Sequence, residues 1–131
     1  MYLKTLILSL IILTMAKLAC ATCTVSQNSG LSFACPLNQY SNCNSTAQLA
    51  ITCTSETPLT LTLNQGLANN FIPRQMIEPV HNYRINYNVY LDANQNQIFG
   101  DGSQGTSVLS TTCAGNCSYN LYGFIQSSVV K

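Results

Sequence analysis

Side chains with oxygen donors recur at every second position in one stretch of the sequence. Asp92, Asn94 and Asn96 are spaced as the first three ligands of an EF-hand calcium loop. Such a loop also needs a glycine at its sixth position and a glutamate at its twelfth, but Gln97 and Ser103 stand there. Because Asp and Asn side chains also bond to nearby backbone groups, we predict a polar turn rather than a metal site.

Groups that could support catalysis are few. His81 is the only histidine, the chain has four carboxylates, and no nucleophile-and-base motif is present. A free cysteine beside His81 could act as a nucleophile, but thiols are usually bridged in an oxidising compartment. We therefore expect no enzyme, and no catalytic, cofactor-binding or metal-binding residue.

The N-terminus has the pattern of an export signal. Lys4 precedes an apolar run from Leu6 to Met15, and Ala19-Cys20-Ala21 suits signal peptidase. The run is shorter than the roughly 20 residues that a membrane-spanning helix needs. We predict a signal peptide at residues 1–21 and a mature domain at 22–131 with no membrane span. An uncleaved anchor and a lipoprotein joined through Cys20 are the alternatives.

Few charges remain once that signal is removed. The mature chain has a net charge of −1, from three cationic and four acidic residues: Arg74, Arg84 and Lys131 against Glu56, Glu78, Asp92 and Asp101. This balance offers no basic surface for nucleic acid. A chain poor in charge and rich in Asn, Gln, Ser and Thr is typical of an exported β-protein.

Six cysteines stay in the mature chain, and an even number in an exported chain favours disulfides. Fifteen connectivities are open to six cysteines. Proximity favours Cys113 with Cys117 and Cys35 with Cys43, which leaves Cys23 to join Cys53. A zinc site is the alternative, but no CxxC pair occurs in the predicted mature chain, from which Cys20 is removed, and the histidine is alone.

Apolar residues alternate with polar ones in several segments, which predicts β-strands. In residues 46–53 one face carries Ala47, Leu49, Ile51 and Cys53. Residues 59–63 alternate in the same way, and the polar stretch between the two segments predicts a β-hairpin over residues 46–64. Further strands are predicted at 83–91 and 118–126, so the fold is expected to be an antiparallel sandwich or barrel.

The order of short motifs from Cys23 to Ile125 resembles the spore coat protein U domain, which also forms subunits of archaic chaperone-usher pili. No single motif is specific, and the resemblance depends on their shared order along the chain. The motifs are Cys23-Thr24-Val25, Gly30-Leu31-Ser32-Phe33, Ala50-Ile51-Thr52-Cys53, Gly66, Arg74-Gln75-Met76, Tyr87-Asn88-Val89-Tyr90, Asp92-Ala93, Gly100-Asp101-Gly102 and Tyr122-Gly123-Phe124-Ile125.

The resemblance implies an incomplete immunoglobulin-like antiparallel β-sandwich, stabilised by disulfides. The family's disulfide between the first strand and the end of the second corresponds to Cys23 with Cys53. The missing strand leaves a groove that a periplasmic chaperone fills and that a neighbouring subunit's N-terminal segment later occupies. An outer-membrane usher is the third partner. The implied function is an adhesive or structural subunit of a pilus, biofilm or surface coat, exported through the periplasm to the cell surface.

Two features depart from the family. The predicted mature chain starts at Thr22, beside Cys23, without a donor segment, as the N-terminal domain of a tip adhesin does. After Ile125 the family continues with another strand, whereas here a short tail follows, so we expect a C-terminal core strand to be missing. The alternative function is a small secreted module that binds sugar or calcium.

Overall fold

The computed structural model describes residues 21–35 and 42–126, and strands account for the regular structure in both ranges. Five strands form one antiparallel sheet in the order β1-β2-β5-β4-β3. They are β1 (Cys23–Ser29), β2 (Cys43–Leu61), β3 (Arg74–Ile77), β4 (Arg84–Tyr90) and β5 (Leu109–Ile125). The all-β prediction is confirmed, and the curled sheet is consistent with an incomplete immunoglobulin-like sandwich.

Residues 1–20 of the predicted signal peptide and the tail from 127 onward lie outside the described residues. Among the residues that are described, none belongs to a helix long and apolar enough to span a bilayer.

Strands β2 and β5 form one long antiparallel ribbon that runs through the whole domain. Cys43 pairs with Ile125 at one end of the ribbon, and Leu61 pairs with Leu109 at the other. The predicted hairpin over residues 46–64 is therefore wrong. Its two halves are consecutive parts of β2, and both of them pair with β5 instead of with each other.

The ribbon changes direction in its middle, where the pairing is irregular. Cys53 lies opposite Gly115 and Thr57 lies opposite Cys113, so residues 54–56 bulge out of the ladder. Gly115 has φ of 71°, in the left-handed region that glycine adopts without a steric penalty from a Cβ atom. The local polarity of residues 54–58 suggested a turn, but the strand continues because β5 bends with it.

The bend brings the two halves of the ribbon together around a small core. Ile51, Cys53 and Cys113 are buried there, and partly buried side chains pack against them, among them Leu59 and Leu61. Burial of apolar surface at about 25 cal/mol per Å² is the main force that holds the halves together.

The predicted alternation along β2 is confirmed by burial. Ala47, Ile51 and Cys53 are buried, whereas Thr46 and Thr52 are exposed. We call the side of the sheet that carries the odd-numbered residues of β2 and β5 the inner face, and the opposite side the outer face.

Three disulfides fasten the inner side of the fold. Cys23 joins Cys53, Cys35 joins Cys43, and Cys113 joins Cys117. Proximity along the chain favours Cys35–Cys43 and Cys113–Cys117, and the family resemblance implies Cys23–Cys53. Cys23–Cys53 ties the start of β1 to β2, and Cys113–Cys117 spans the bend of β5.

Candidate functional site

An apolar groove lies between the inner face of the sheet and the segment that leaves the end of β2. It encloses a cavity of about 270 Å³. The surrounding side chains are mostly apolar and come from β1, β2, β5 and two connecting segments: Val25, Gln48, Leu49, Leu61, Thr62, Leu63, Phe99 and Leu121. We call this feature the groove.

The groove is open along β1. Val25 pairs with Ile51 on the neighbouring strand, and both side chains belong to the inner face. Ile51 is 0% exposed, whereas Val25 is 52% exposed. Since the two residues are adjacent across the ladder, the inner face is covered by other side chains at β2 but is open to solvent at β1. Within the described residues β1 is also an edge strand, so its outer backbone N–H and C=O groups face away from the sheet.

The segment that follows β1 covers one end of the inner face. The backbone N–H of Ser32 donates to Oγ of Ser45 at 2.9 Å. A Cβ atom on Gly123 would lie 2.6 Å from the Phe33 ring and 2.9 Å from a methyl group of Leu31. Only glycine at this position lets both side chains settle on the sheet. Two motifs of the family resemblance, Gly-Leu-x-Phe and Tyr-Gly-x-Ile, thus meet in a single contact.

The opposite wall is held by a cluster of hydrogen bonds around Arg74. This guanidinium is 1% exposed, at the start of β3. Nε donates to the carbonyl of Asn64 at 2.9 Å, one terminal nitrogen to Oδ1 of Asn88 at 3.1 Å, and the other to the carbonyl of Phe99 at 2.6 Å. Phe71 lies under the guanidinium, 5.0 Å from its carbon to the ring centre. We call this set the Arg74 cluster.

The electrostatics of the Arg74 cluster are dominated by burial. Burial lowers the pKa of Arg74 from its ordinary value, and the nearby charge of Asp101 opposes that shift. The pKa of Asp101 is itself lowered, first by a hydrogen bond from the Ser103 hydroxyl and then by the Ser103 backbone N–H. Carbonyl and amide oxygens thus solvate the cation. Because Arg74 bonds to the carbonyl groups of residues 63–64 and of Phe99, it holds these two segments together.

This cluster supports the groove directly. Leu63 and Phe99 line the cavity, and their carbonyl groups both accept from Arg74. The backbone N–H of Leu63 also donates to the carbonyl of Gly100 at 3.1 Å. In the wall opposite β1, the side chains of Leu63 and Phe99 therefore line the cavity, and their backbone carbonyl groups bond to Arg74.

The stretch that resembles a calcium loop forms a turn, as predicted. The Asp92 carboxylate accepts the backbone N–H groups of Asn96 and Gln97 at distances of 2.8–3.1 Å. Residues 21–35 and 42–126 contain no group of three or more His, Cys, Asp or Glu side chains placed to hold a metal ion. The strand before the turn is β4, which agrees with the predicted strand at 83–91 to within one residue at each end.

His81 contacts a carboxylate and an aromatic ring. Its ring nitrogen Nδ1 is 3.2 Å from Oε2 of Glu78, and the ring stacks on Tyr83 with centroids 5.4 Å apart. Two backbone N–H groups, of Val80 and His81, also donate to the Glu78 carboxylate. These bonds, with that of His81 largest, lower the pKa of Glu78. The residues form the turn between β3 and β4.

Sequence reasoning missed the Arg74 cluster and the contact at Gly123. Arg74 belongs to the Arg-Gln-Met motif, but that motif does not show what surrounds the side chain, because two of its partners are backbone carbonyl groups of Asn64 and Phe99. The partners of Gly123 come from a segment about 90 positions earlier in the chain, and no local pattern encodes that distance.

A groove with these properties can bind an extended chain. Its apolar pockets would receive every second side chain of an added strand, while the free edge of β1 would supply main-chain hydrogen bonds. The fold and the groove together define a class: a small, disulfide-linked β domain whose apolar core is open along one edge.

The comparison with known families assigns the chain within that class. Residues 10–130 match the Spore Coat Protein U domain, and the chain belongs to this family. The family is one of structural and adhesive subunits of the pilus, fimbrial or coat type. A comparison with curated proteins finds no match.

Proposed function

We propose that this protein is an exported pilus subunit that completes its fold by donor-strand complementation in the groove. A periplasmic chaperone supplies the strand first, an outer-membrane usher receives the complex, and a neighbouring subunit replaces the chaperone. The observation that carries the proposal is Val25, an inner-face side chain that is 52% exposed at the mouth of an apolar cavity.

The physical reason for the exchange is the cost of the open groove. Each apolar side chain brought out of water there gains about 1.5–3 kcal/mol when fully buried. The unpaired edge of β1 is also a template for another strand, and natural proteins usually cover such edges. A donor strand satisfies both the side chains and the backbone, so the complex is favoured over the isolated subunit.

The route and the position in the fibre depend on where the chain is processed. Cleavage after Ala21 would place Cys23 at the second position of the mature protein and leave no donor segment ahead of it. A location at the fibre tip follows from that cleavage. N-terminal sequencing of the protein from the cell surface tests it: a first residue of Thr22 agrees, and a start well upstream of Cys23 removes the reason for a tip position.

A peptide-binding experiment tests strand addition. The probe is a synthetic peptide of alternating valine and threonine, and its control has the same composition in an order that breaks the alternation. The exported full chain should bind the first peptide and not the second. Equal binding of both peptides, or of neither, would count against strand addition.

A pair of matched substitutions locates that binding. Val25→Asp places a charge at the mouth of the groove, whereas Val80→Asp places the same charge on a side chain that is 78% exposed in the β3–β4 turn. We expect Val25→Asp to lose the peptide and Val80→Asp to keep it. Retention of the peptide by both variants would show that it binds elsewhere.

A further inference from the structure

The outer face of the sheet, on the side away from the groove, is polar but uncharged. Among the described residues of β1, the first half of β2 and the second half of β5, no position on this face carries Asp, Glu, Lys or Arg. Its exposed side chains on β2 and β5 are hydroxyls and amides, among them Thr46, Thr52, Asn116, Ser118 and Asn120. Exposed surfaces of globular proteins are usually rich in charge, whereas this chain has few charged residues and the ladder carries none of them.

The strand register arranges these groups in rows. Thr52 lies opposite Asn116, and its hydroxyl donates to Oδ1 of that amide at 2.9 Å. In another row, Tyr122 lies between Thr46 on β2 and Tyr90 on β4. Tyr90 and Tyr122 are both half-buried, so each ring keeps part of its surface toward solvent.

A shallow pocket of about 60 Å³ continues the face beyond this tyrosine pair. Two aromatic rings, Tyr90 and Phe124, and the amides of Asn86 and Gln126 contribute to its lining. Asn88 belongs to the same pocket and is 6% exposed, and its Oδ1 is fixed by the bond from Arg74 at 3.1 Å. The Arg74 cluster therefore orients an amide in this pocket as well as a wall of the groove.

The charged groups that border the face are already engaged. The guanidinium of Arg84, at the start of β4, donates to Oε1 of Gln75 at 3.1 Å. The carboxylate of Asp92, just after β4, accepts from the backbone of its own turn. Both groups keep their charge because their partners are neutral, but neither lies on β1, β2 or β5, which carry the ladder.

These properties favour one kind of partner. Amides and hydroxyls both donate and accept hydrogen bonds, as the vicinal hydroxyls of a sugar do. Tyrosine rings offer an apolar face together with a polar tip, which suits the alternating C–H and O–H surfaces of a pyranose. A phosphate-bearing polymer would find no cation on the described ladder of β2 and β5, and only Arg84 at its border. A protein partner would find no fully apolar centre of the kind that protein interfaces usually have.

We propose that the outer face binds a neutral polysaccharide, with the chain stacked on Tyr90 and Tyr122 and hydrogen-bonded to the amide and hydroxyl ladder beside them. Tyr90, Tyr122 and the ladder lie on the face of the sheet opposite Val25, so the polysaccharide and a donor strand would not compete for the same side chains. A domain with a donor strand in place would therefore keep its polysaccharide site. The proposal concerns a single chain and does not rest on fibre assembly.

Affinity electrophoresis of the exported full chain tests the proposal. The gels would contain a neutral polysaccharide, namely dextran, laminarin or galactomannan, and parallel gels would contain the acidic polymers alginate and polygalacturonate. We expect retardation by at least one neutral polymer and none by the acidic ones. Retardation by the acidic polymers, or by no polymer, would overturn the proposal.

Two matched pairs of variants locate the site. Tyr122→Ala should weaken binding roughly tenfold, in keeping with the loss of one good aromatic contact. Tyr83→Ala, at a tyrosine 55% exposed outside the outer face, should leave binding unchanged. Asn120→Asp adds a charge to the ladder with almost no change in shape and should also weaken binding, whereas Asn94→Asp in the turn after β4 should not. Equal effects within either pair would refute this location.

Polysaccharide binding is measured on the isolated chain. If the chain binds no polysaccharide, the strand-addition proposal is therefore unaffected. Conversely, a chain that binds polysaccharide but ignores the alternating peptide would retain this site and lose the proposed assembly.

Discussion

The Arg74 cluster and the mouth of the groove are two walls of the same cavity, yet they differ in how completely their groups are satisfied. At the cluster, a fully buried cation is surrounded by carbonyl and amide oxygens at 2.6–3.1 Å. At the mouth, Val25 is half exposed and β1 is an edge strand. The chain thus completes one wall by itself, and the other is the wall at which we propose that a partner strand adds.

The difference shows how stability and function are divided in this domain. Buried polar groups that lose a partner are costly, so the cluster fixes the shape of the connecting segments before any partner arrives. An exposed apolar side chain costs less, and the proposed strand would recover that cost by burying it. Substitutions at the cluster should therefore affect folding, and substitutions at the mouth should affect binding.

The largest expected effect is that of Arg74→Ala. This change removes the donors to Asn64, Asn88 and Phe99 and leaves a cavity beside Phe71, so we expect a loss of about 3–5 kcal/mol in the free energy of unfolding. Urea denaturation monitored by tyrosine fluorescence measures it. Arg84→Ala, at an exposed arginine, is the control and should change stability by less than about 0.5 kcal/mol. A similar small change for both variants would mean that the Arg74 cluster does not stabilise the fold.

Removal of the Cys23–Cys53 disulfide comes next. The double variant Cys23→Ala/Cys53→Ala frees the start of β1 and should lose about 2–4 kcal/mol. The comparison is sharpened by Cys113→Ala/Cys117→Ala, which opens a much shorter loop and should lose less through chain entropy. Thermal melts of both variants provide the test, and an unchanged Tm for the first variant would contradict the role assigned to β1.

A smaller loss is expected for Gly123→Ala. The new methyl group would press on Phe33 and Leu31, and overpacking of this kind typically costs about 1–3 kcal/mol. The same substitution in a Phe33→Leu background should cost less, because the nearest contact is relieved. Equal costs in the two backgrounds would show that the segment after β1 does not rest on Gly123.

The smallest effect on stability is expected at the mouth of the groove. Val25→Asp should lower the free energy of unfolding by no more than about 1 kcal/mol, because the side chain is 52% exposed in an edge strand. Val80→Asp, at a side chain that is 78% exposed, should change it by less than about 0.5 kcal/mol. Chemical denaturation of the two variants checks this. A large loss for Val25→Asp alone would mean that Val25 belongs to a closed core, and the contrast between the two walls would fail.

The sequence predicts the faces of the strands well and their connections poorly. Alternation assigned Ala47, Ile51 and Cys53 to the buried side because burial in a sheet follows a period of two residues. The same reasoning placed a hairpin at residues 46–64, because the polar stretch after Cys53 looks like a turn. What keeps β2 continuous there is its pairing with the bent β5, and that contact joins residues about 60 positions apart.

The candidate site was predictable to a similar extent. Resemblance to the family implied an apolar groove before its walls were known. The role of Arg74 was not predictable, because its oxygen partners are backbone groups whose positions depend on the folded connections. The low charge of the chain is evident from its composition, but the position of the uncharged ladder and its rows of partners required the register of β2, β4 and β5.

The most direct test of the open wall is amide hydrogen exchange of the full chain with and without the alternating valine–threonine peptide. In an antiparallel edge strand, alternate N–H groups point away from the sheet and exchange readily until another strand pairs with them. We predict that the peptide slows exchange in residues 23–29 and 61–63 and leaves β3 unchanged. If the exchange rate of β1 is the same with and without the peptide, or falls equally with the scrambled control, strand addition at this groove is contradicted.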